Sequence, residues 1–206
     1  MSLDKYVRSI NKEKCEDCKF NNKQLKPRPI IIIPPPDTPK IMLISRDPTV
    51  DFIPIYEYSK RYSSDEMRRM LFSAAIPHNL IVQITKFCRR EKEGLKESMK
   101  NLFKIFEVAY WTHLHKCPTD KENKFTTACA NKWLRKEINE AKEEGIQTMV
   151  CLGKDVERWA SKNIFTENIK IINLPHPSRR NPIWYTRDNN KKMEIKKSIK
   201  RLIELC

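Results

Sequence analysis

Glycine is nearly missing from this chain. Its 206 residues include three, Gly94, Gly145 and Gly153, and no two stand closer than eight positions apart. That excludes the G-x-G-x-x-G dinucleotide fingerprint and the G-x-x-x-x-G-K-[ST] phosphate loop, which need clustered glycines for backbone to approach phosphate. No apolar run approaches the roughly 20 residues of a membrane-spanning helix. The opening MSLDKYVRSINKEKCEDC has no signal-peptide core. A soluble, intracellular (cytoplasmic) protein without a membrane partner is expected. An odd cysteine count, seven, in a chain without a secretion signal argues against a disulfide scaffold.

Acidic residues are also short: 26 Asp+Glu stand against 41 Lys+Arg, a net charge of +15. Such a surface attracts polyanions, and nucleic acid is the commonest intracellular one. A surface of mixed charges built for thermal stability is the plainer alternative. With 39% hydrophobic residues the chain is globular rather than a disordered tail, and its length suits one domain with a real core. We expect residues 1–206 to form that domain as a monomer, with 1–39 as a cysteine-containing segment packed on it.

Periodicity gives an outline. In KPRPIIIIPPPDTP the prolines forbid helix and favour extended chain. Continuous apolar runs predict buried strands at 41–45, 108–116, 147–153 and 168–174. Residues 46–62 are polar and proline-broken, which predicts a loop. Ser63 and Glu66 have capping-box spacing before a helix to about Ala75. Segment 79–90 is ambiguous between helix and strand, and 94–107 reads as an amphipathic helix. A helix capped at Thr126 or Thr127 should stop at Gly145, a short one should span KDVERWASK, and a long one should run from Asp188 to Leu205. Strands alternating with helices predict a three-layer α/β/α sandwich around a mostly parallel four-stranded sheet. In such a sheet, functional groups gather in loops beyond the carboxyl ends of the strands. Here those are SRDPT, HKCPTD, GKD and PHPSRR.

The cysteines fall into two kinds. Cys88 and Cys151 sit in apolar contexts and read as core thiols. Cys15 and Cys18 form a C-x₂-C pair in a polar stretch, while Cys117 and Cys129 follow the second strand. Paired plus distant thiolates suit a four-coordinate soft-metal site, for zinc or for an iron–sulfur cluster.

Four loop segments, SRDPT (45–49), THLHKCP (112–118), VCLGK (150–154) and LPHPS (174–178), occur in the order and spacing of one known family. Together with the leading C-x₂-C and a later Cys before Trp-Leu, they resemble the uracil-DNA glycosylase superfamily, most closely its iron–sulfur branch, family 4. The resemblance implies a [4Fe–4S] cluster on Cys15, Cys18, Cys117 and Cys129, with zinc as the alternative metal. It implies DNA as partner and hydrolysis of the N-glycosidic bond of uracil or another deaminated base. His176 would donate to the departing base, and Asp47 would stabilise the sugar cation or its attacking water. Ser178, Arg179 and Arg180 would contact DNA.

The chain departs from the family pattern at several positions. Ser-Arg-Asp-Pro-Thr matches the Gly-Gln-Asp-Pro-Tyr of family 1 better than the Gly-Glu-Ala-Pro-Gly of family 4. Ser45 replaces the leading glycine, and a bulky Arg46 follows it. His113 stands where family 4 places the base-reading Asn, and Tyr56 or Tyr58 falls nearest the offset expected for a base-stacking ring. Ser45, Arg46, His113, Tyr56 and Tyr58 are thus the expected base-binding set. The departures leave open a catalytically inactive or altered iron–sulfur DNA-binding homologue. A zinc protein that binds RNA or single-stranded DNA is a third reading.

Overall fold

The structure, a computed structural model, describes residues 1–10, 29–48, 50–74, 105, 108–118, 127–163, 169–176, 182 and 187–204. Segment 79–90 lies outside them, as do Cys15, Cys18, Cys88, Ser178, Arg179 and Arg180. The expected helix over 94–107 also does, apart from the buried Ile105.

Four strands form one sheet, β1 (Ile41–Ser45), β2 (Ala109–His113), β3 (Thr148–Leu152) and β4 (Lys170–Leu174). Their order is β2-β1-β3-β4, and every pairing is parallel. All five residues of β1 are buried, as expected of a central strand covered on both faces. On one face lie α1 (Leu3–Arg8), α4 (Arg135–Glu143) and α5 (Lys154–Asn163), whose Leu3, Tyr6, Ile138 and Trp159 pack on Met42, Ile44 and Met149. On the other lie α2 (Ile53–Ser59), α3 (Ser64–Ala74) and α6 (Asn189–Ile203), whose Tyr56, Leu71 and Ile195 pack on Ile41, Leu43 and Val150. The three-layer sandwich is therefore observed.

Local signals explain most boundaries. Ser63 and Glu66 exchange both capping-box hydrogen bonds, at 3.1 and 3.3 Å. Asp188 caps α6 by accepting from the Asn190 and Lys191 amides. Gly145 (φ +89°) ends α4, with Gly145 N donating to Lys142 O and Ile146 N to Ala141 O in a Schellman pattern. One expectation needs correction. Residues 46–62 are not all loop, because a 3₁₀ turn (Val50–Phe52) leads into α2. Pro54 lies in the first turn of α2, where its missing N–H has no intrahelical partner to lose. The leading segment also contains a helix, α1, capped by the Ser2 side chain.

One polar cluster interrupts the α1/α4/α5 face. Lys116 and Glu137 are both buried and form an ion pair. Tyr110 donates its hydroxyl to Glu137, and Lys116 Nζ donates to Thr112 Oγ1 at 2.5 Å. Burial and the Glu137 charge push the Tyr110 hydroxyl well above its usual pKa, so it remains a donor. The Lys116 main chain is used too: its N–H donates to Cys129 Sγ at 3.4 Å, and its carbonyl accepts from Ile31 N at 2.7 Å.

Removing one partner of such a pair strands a buried charge and costs about 3–5 kcal/mol, whereas replacing both by apolar groups is far milder. Urea unfolding should show Lys116→Met and Glu137→Leu each destabilised by about that amount, and the double variant by much less than their sum. Additive losses would mean that the two side chains do not depend on each other.

Candidate active site

Because all four strands run the same way, their carboxyl ends share one edge of the sheet. Ser45 pairs in register with His113, and Leu152 with Leu174. Pairing continues beyond the strands: Leu114 N donates to Ser45 O, and His115 N to Arg46 O, both at 2.9 Å. The SRDPT loop is thereby fastened to the THLHK loop. On the other side, Gly153 N donates to Leu174 O at 2.8 Å, joining the ends of β3 and β4.

Gly153 is favoured on two grounds. Its φ is +95°, and a Cβ there would lie 3.1 Å from His176 Cβ. A side chain at 153 would therefore strain the backbone and press His176 aside by a few tenths of an ångström. This packing role has no signature in the sequence beyond the glycine itself.

Charge gathers around that ring. Arg46 Nε donates to Asp47 Oδ1, and Arg46 Nη1 lies 3.7 Å from Asp155 Oδ2 in the first turn of α5. The Asp47 side chain is 8% exposed and that of Arg46 51%. Loss of water around the His176 ring, and then the Arg46 charge, lower its pKa below the usual 6.5, while Asp47 and Asp155 pull the other way. His176 is thus a neutral imidazole at pH 7, able to donate from one nitrogen. Asp155 was not among the expected site residues, although GKD had been marked as a functional loop.

The base-binding set divides. Ser45 and His113 lie at this edge but are each 2% exposed. Ser45 Oγ accepts from Trp111 Nε1 at 3.1 Å, and the His113 ring packs against Trp111 with centroids 5.0 Å apart. Burial, and then Lys116, hold His113 well below the usual histidine pKa, so its ring is neutral. Tyr56 does not fit the stacking role: it is 5% exposed, packs in the core, and its hydroxyl accepts from Ile32 N at 3.2 Å. Apolar packing between α2 and the sheet holds it there. Tyr58 is 49% exposed and shares a 2.7 Å hydroxyl contact with Tyr62. Tyr62 was not foreseen.

The Lys116 N–H points to the Cys129 sulfur, and Cys117 is the next residue in the chain. Among the described residues no three metal-ligating side chains cluster. A groove of about 570 Å³ opens beside His176, between the edge of β4 and α6. Lys154, Lys191, Lys197 and Arg201 stand around it, together with Glu157 and Glu194.

A parallel α/β sandwich with a carboxylate, a guanidinium and a neutral imidazole at the carboxyl ends of its strands defines a class of protein whose chemistry resides in strand-end loops. The sequence profile of the Uracil DNA glycosylase superfamily matches residues 33–202, and the chain belongs to that superfamily, which acts on DNA. No curated protein and no solved structure matches it. No helix among the described residues is long and apolar enough to cross a membrane.

The neutral His113 has a consequence for stability. The unfolded chain takes up a proton near pH 6.5 that the folded chain resists, so folding is favoured above that pH and loses stability as pH falls through it. Thermal unfolding from pH 8 to pH 5 should show this loss in the wild type, and His113→Asn should flatten it. An equal slope in both would mean that another group carries the acid sensitivity.

Proposed function

We propose that this protein is a DNA glycosylase that hydrolyses the N-glycosidic bond of a deaminated base, and that it is of the iron–sulfur kind. The observation that carries the proposal is the convergence of His176, Asp47 and Arg46 at one sheet edge, in a chain of a DNA-acting superfamily. The target base leaves the stack and enters the strand-end site. The C1′–N bond breaks, and its electron pair departs with the base. The neutral His176 N–H hydrogen-bonds the base oxygen on which negative charge grows. The Asp47 carboxylate lies on the sugar side, where it stabilises the cation electrostatically and orients the water that attacks C1′; the water's proton passes to solvent or to the released base.

DNA would be held by the basic surface. Ser178, Arg179 and Arg180 directly follow the His-Pro dipeptide in sequence, and Lys191, Lys197 and Arg201 of α6 line the groove beside His176. Tyr58, exposed on α2, would supply the stacking ring.

The thiols suit an iron–sulfur cluster. A backbone N–H donated to Cys129 Sγ is the kind of contact that supports a cluster thiolate, and the Ile31–Lys116 hydrogen bond ties the chain leading from Cys15 and Cys18 to the same loop. Cys15, Cys18, Cys117 and Cys129 would hold the group, which supplies structure rather than chemistry.

A binding-only protein is the second reading, favoured by the ion pair that already occupies Asp47. Single-turnover assays on oligonucleotides separate the two. His176→Ala should lose on the order of 10²–10³ in cleavage rate while keeping DNA affinity, the usual cost of one anion-stabilising donor. Asp47→Asn should lose a similar factor, because it keeps shape without charge. If the wild type leaves no abasic site on any deaminated base, the binding-only reading wins.

A separate measurement addresses the metal. Cys117→Ser should give poorly soluble protein without visible absorbance or bound iron, and Cys206→Ser should match the wild type. Zinc in place of iron would favour the alternative ion, and equal metal content in both variants would remove Cys117 from the ligand set.

A further inference from the structure

We infer that the outer edge of β4 is a docking site for an extended acidic segment of a partner protein, which joins the four-stranded sheet as a further strand. The inference rests on the sheet and its flanking helices and does not depend on the glycosylase reading.

β2 and β4 are the two outer strands, and they differ. All five residues of β2 are buried, whereas Lys170 and Asn173 of β4 are exposed and Ile171 is half-buried. The backbone of β4 is used on one side. Lys170 N donates to Gln147 O and Leu174 O accepts from Gly153 N, both at 2.8 Å, so the N–H and C=O groups of Lys170, Ile172 and Leu174 turn toward β3. Those of Ile171 and Asn173 turn outward, and among the described residues no backbone group pairs with them. Such an edge is a template for another extended chain.

The groove beside His176 gives that chain its place. Every residue of β4 except Lys170 lines it, and so do residues of both α5 and α6, the helices on opposite faces of the sheet. It therefore lies where the next strand would.

Charge and polarity select the occupant. The side chains of an added strand alternate between the two faces. On the α6 side they meet Lys191, Lys197 and Arg201 against Glu194, so acidic side chains fit there. On the α5 side Lys154 and Glu157 balance, Glu157 already accepts from Asn173 Nδ2 at 3.2 Å, and Ile171 offers apolar surface, so apolar side chains fit there. DNA matches this edge less well. A phosphodiester accepts hydrogen bonds but has no N–H for the outward carbonyls, and Glu157 and Glu194 repel it. A second copy of this chain would bring the same cations against these.

The probe is a fluorescently labelled peptide of alternating Glu and Val, five residues long to match β4. Its control is the same peptide N-methylated at every backbone amide, which keeps the charge and loses the donors. Anisotropy with the full chain should show the plain peptide binding more tightly by on the order of tenfold, the effect of about two backbone hydrogen bonds. Lys197→Glu and Arg201→Glu should each weaken it roughly two- to fivefold. Amide hydrogen exchange read by NMR locates the contact: Ile171 and Asn173 should exchange fast in the free protein and be slowed by the peptide. Asn173→Pro, which an edge strand tolerates at an outward N–H, should abolish the binding. Should that variant fail to fold, exchange in the wild type decides. Slow exchange at both amides in the free protein, no binding of the plain peptide, or equal binding of its N-methylated form overturns the inference. So does a single-stranded oligonucleotide that slows these two amides as much as the peptide does, which would make the groove a nucleic-acid track.

Discussion

The ion pair between Lys116 and Glu137 is the point at which the layers of this protein are joined. Both charges are out of water, a situation stable only because each partner satisfies the other and Tyr110 and Thr112 use the remaining polar capacity. The pair fixes α4 to the end of β2. The same lysine's backbone receives the Ile31 amide and donates to Cys129, so three separate parts of the chain meet at one residue. A pair of this kind adds little net stability, but it sets one arrangement against the alternatives, because every other register would strand a buried charge. The proposed cluster loop is built on that arrangement.

The parallel sheet does the rest of the positioning. Four strands with aligned carboxyl ends put Asp47, Asp155 and His176 within electrostatic reach of one another although they are far apart in sequence. Charge balance then determines the chemistry. A cationic histidine would bind a leaving anion strongly but would also attract DNA phosphate. Partial desolvation and Arg46 keep the ring neutral, and the two carboxylates limit how far that goes. Arg46 thus acts on His176 from a loop at the end of a different strand, and helps to keep it neutral.

Much of this was legible in the sequence, for reasons that can be named. Buried parallel strands are continuous apolar runs, so IMLIS was found to the residue and the other three strands to within a few. Capping at Ser63 and Asp188 and the stop at Gly145 are local chemistry and were readable as such. The helix α2 was hidden because proline density, read alone, says loop, while a proline in a helix's first turn costs nothing. Tyr56 and Tyr58 could not be told apart, since two residues' difference on a short helix decides core from solvent and only the packing partner settles it. Asp155, Glu137 and the contact between Gly153 and His176 were invisible for a different reason. They are relations between segments distant in sequence, and no spacing rule within one segment carries them.

The departures from the family motif also separate once the environment of each residue is known. Ser45, in the place of a glycine, looks like an obstruction at the base. Its side chain, however, lies in the sheet's interior, with Oγ accepting from Trp111 Nε1 and directed toward Thr112 O, so the hydroxyl is absorbed by the core. His113 is likewise satisfied as a neutral ring against Trp111. Both changes therefore redirect a polar group inward, away from a ligand. Arg46 is the opposite case. Its long side chain stays half exposed, paired with the nearly buried carboxylate of Asp47 and the partly exposed one of Asp155. Of the three changes it alone leaves a charged group facing solvent at the carboxyl ends of the strands.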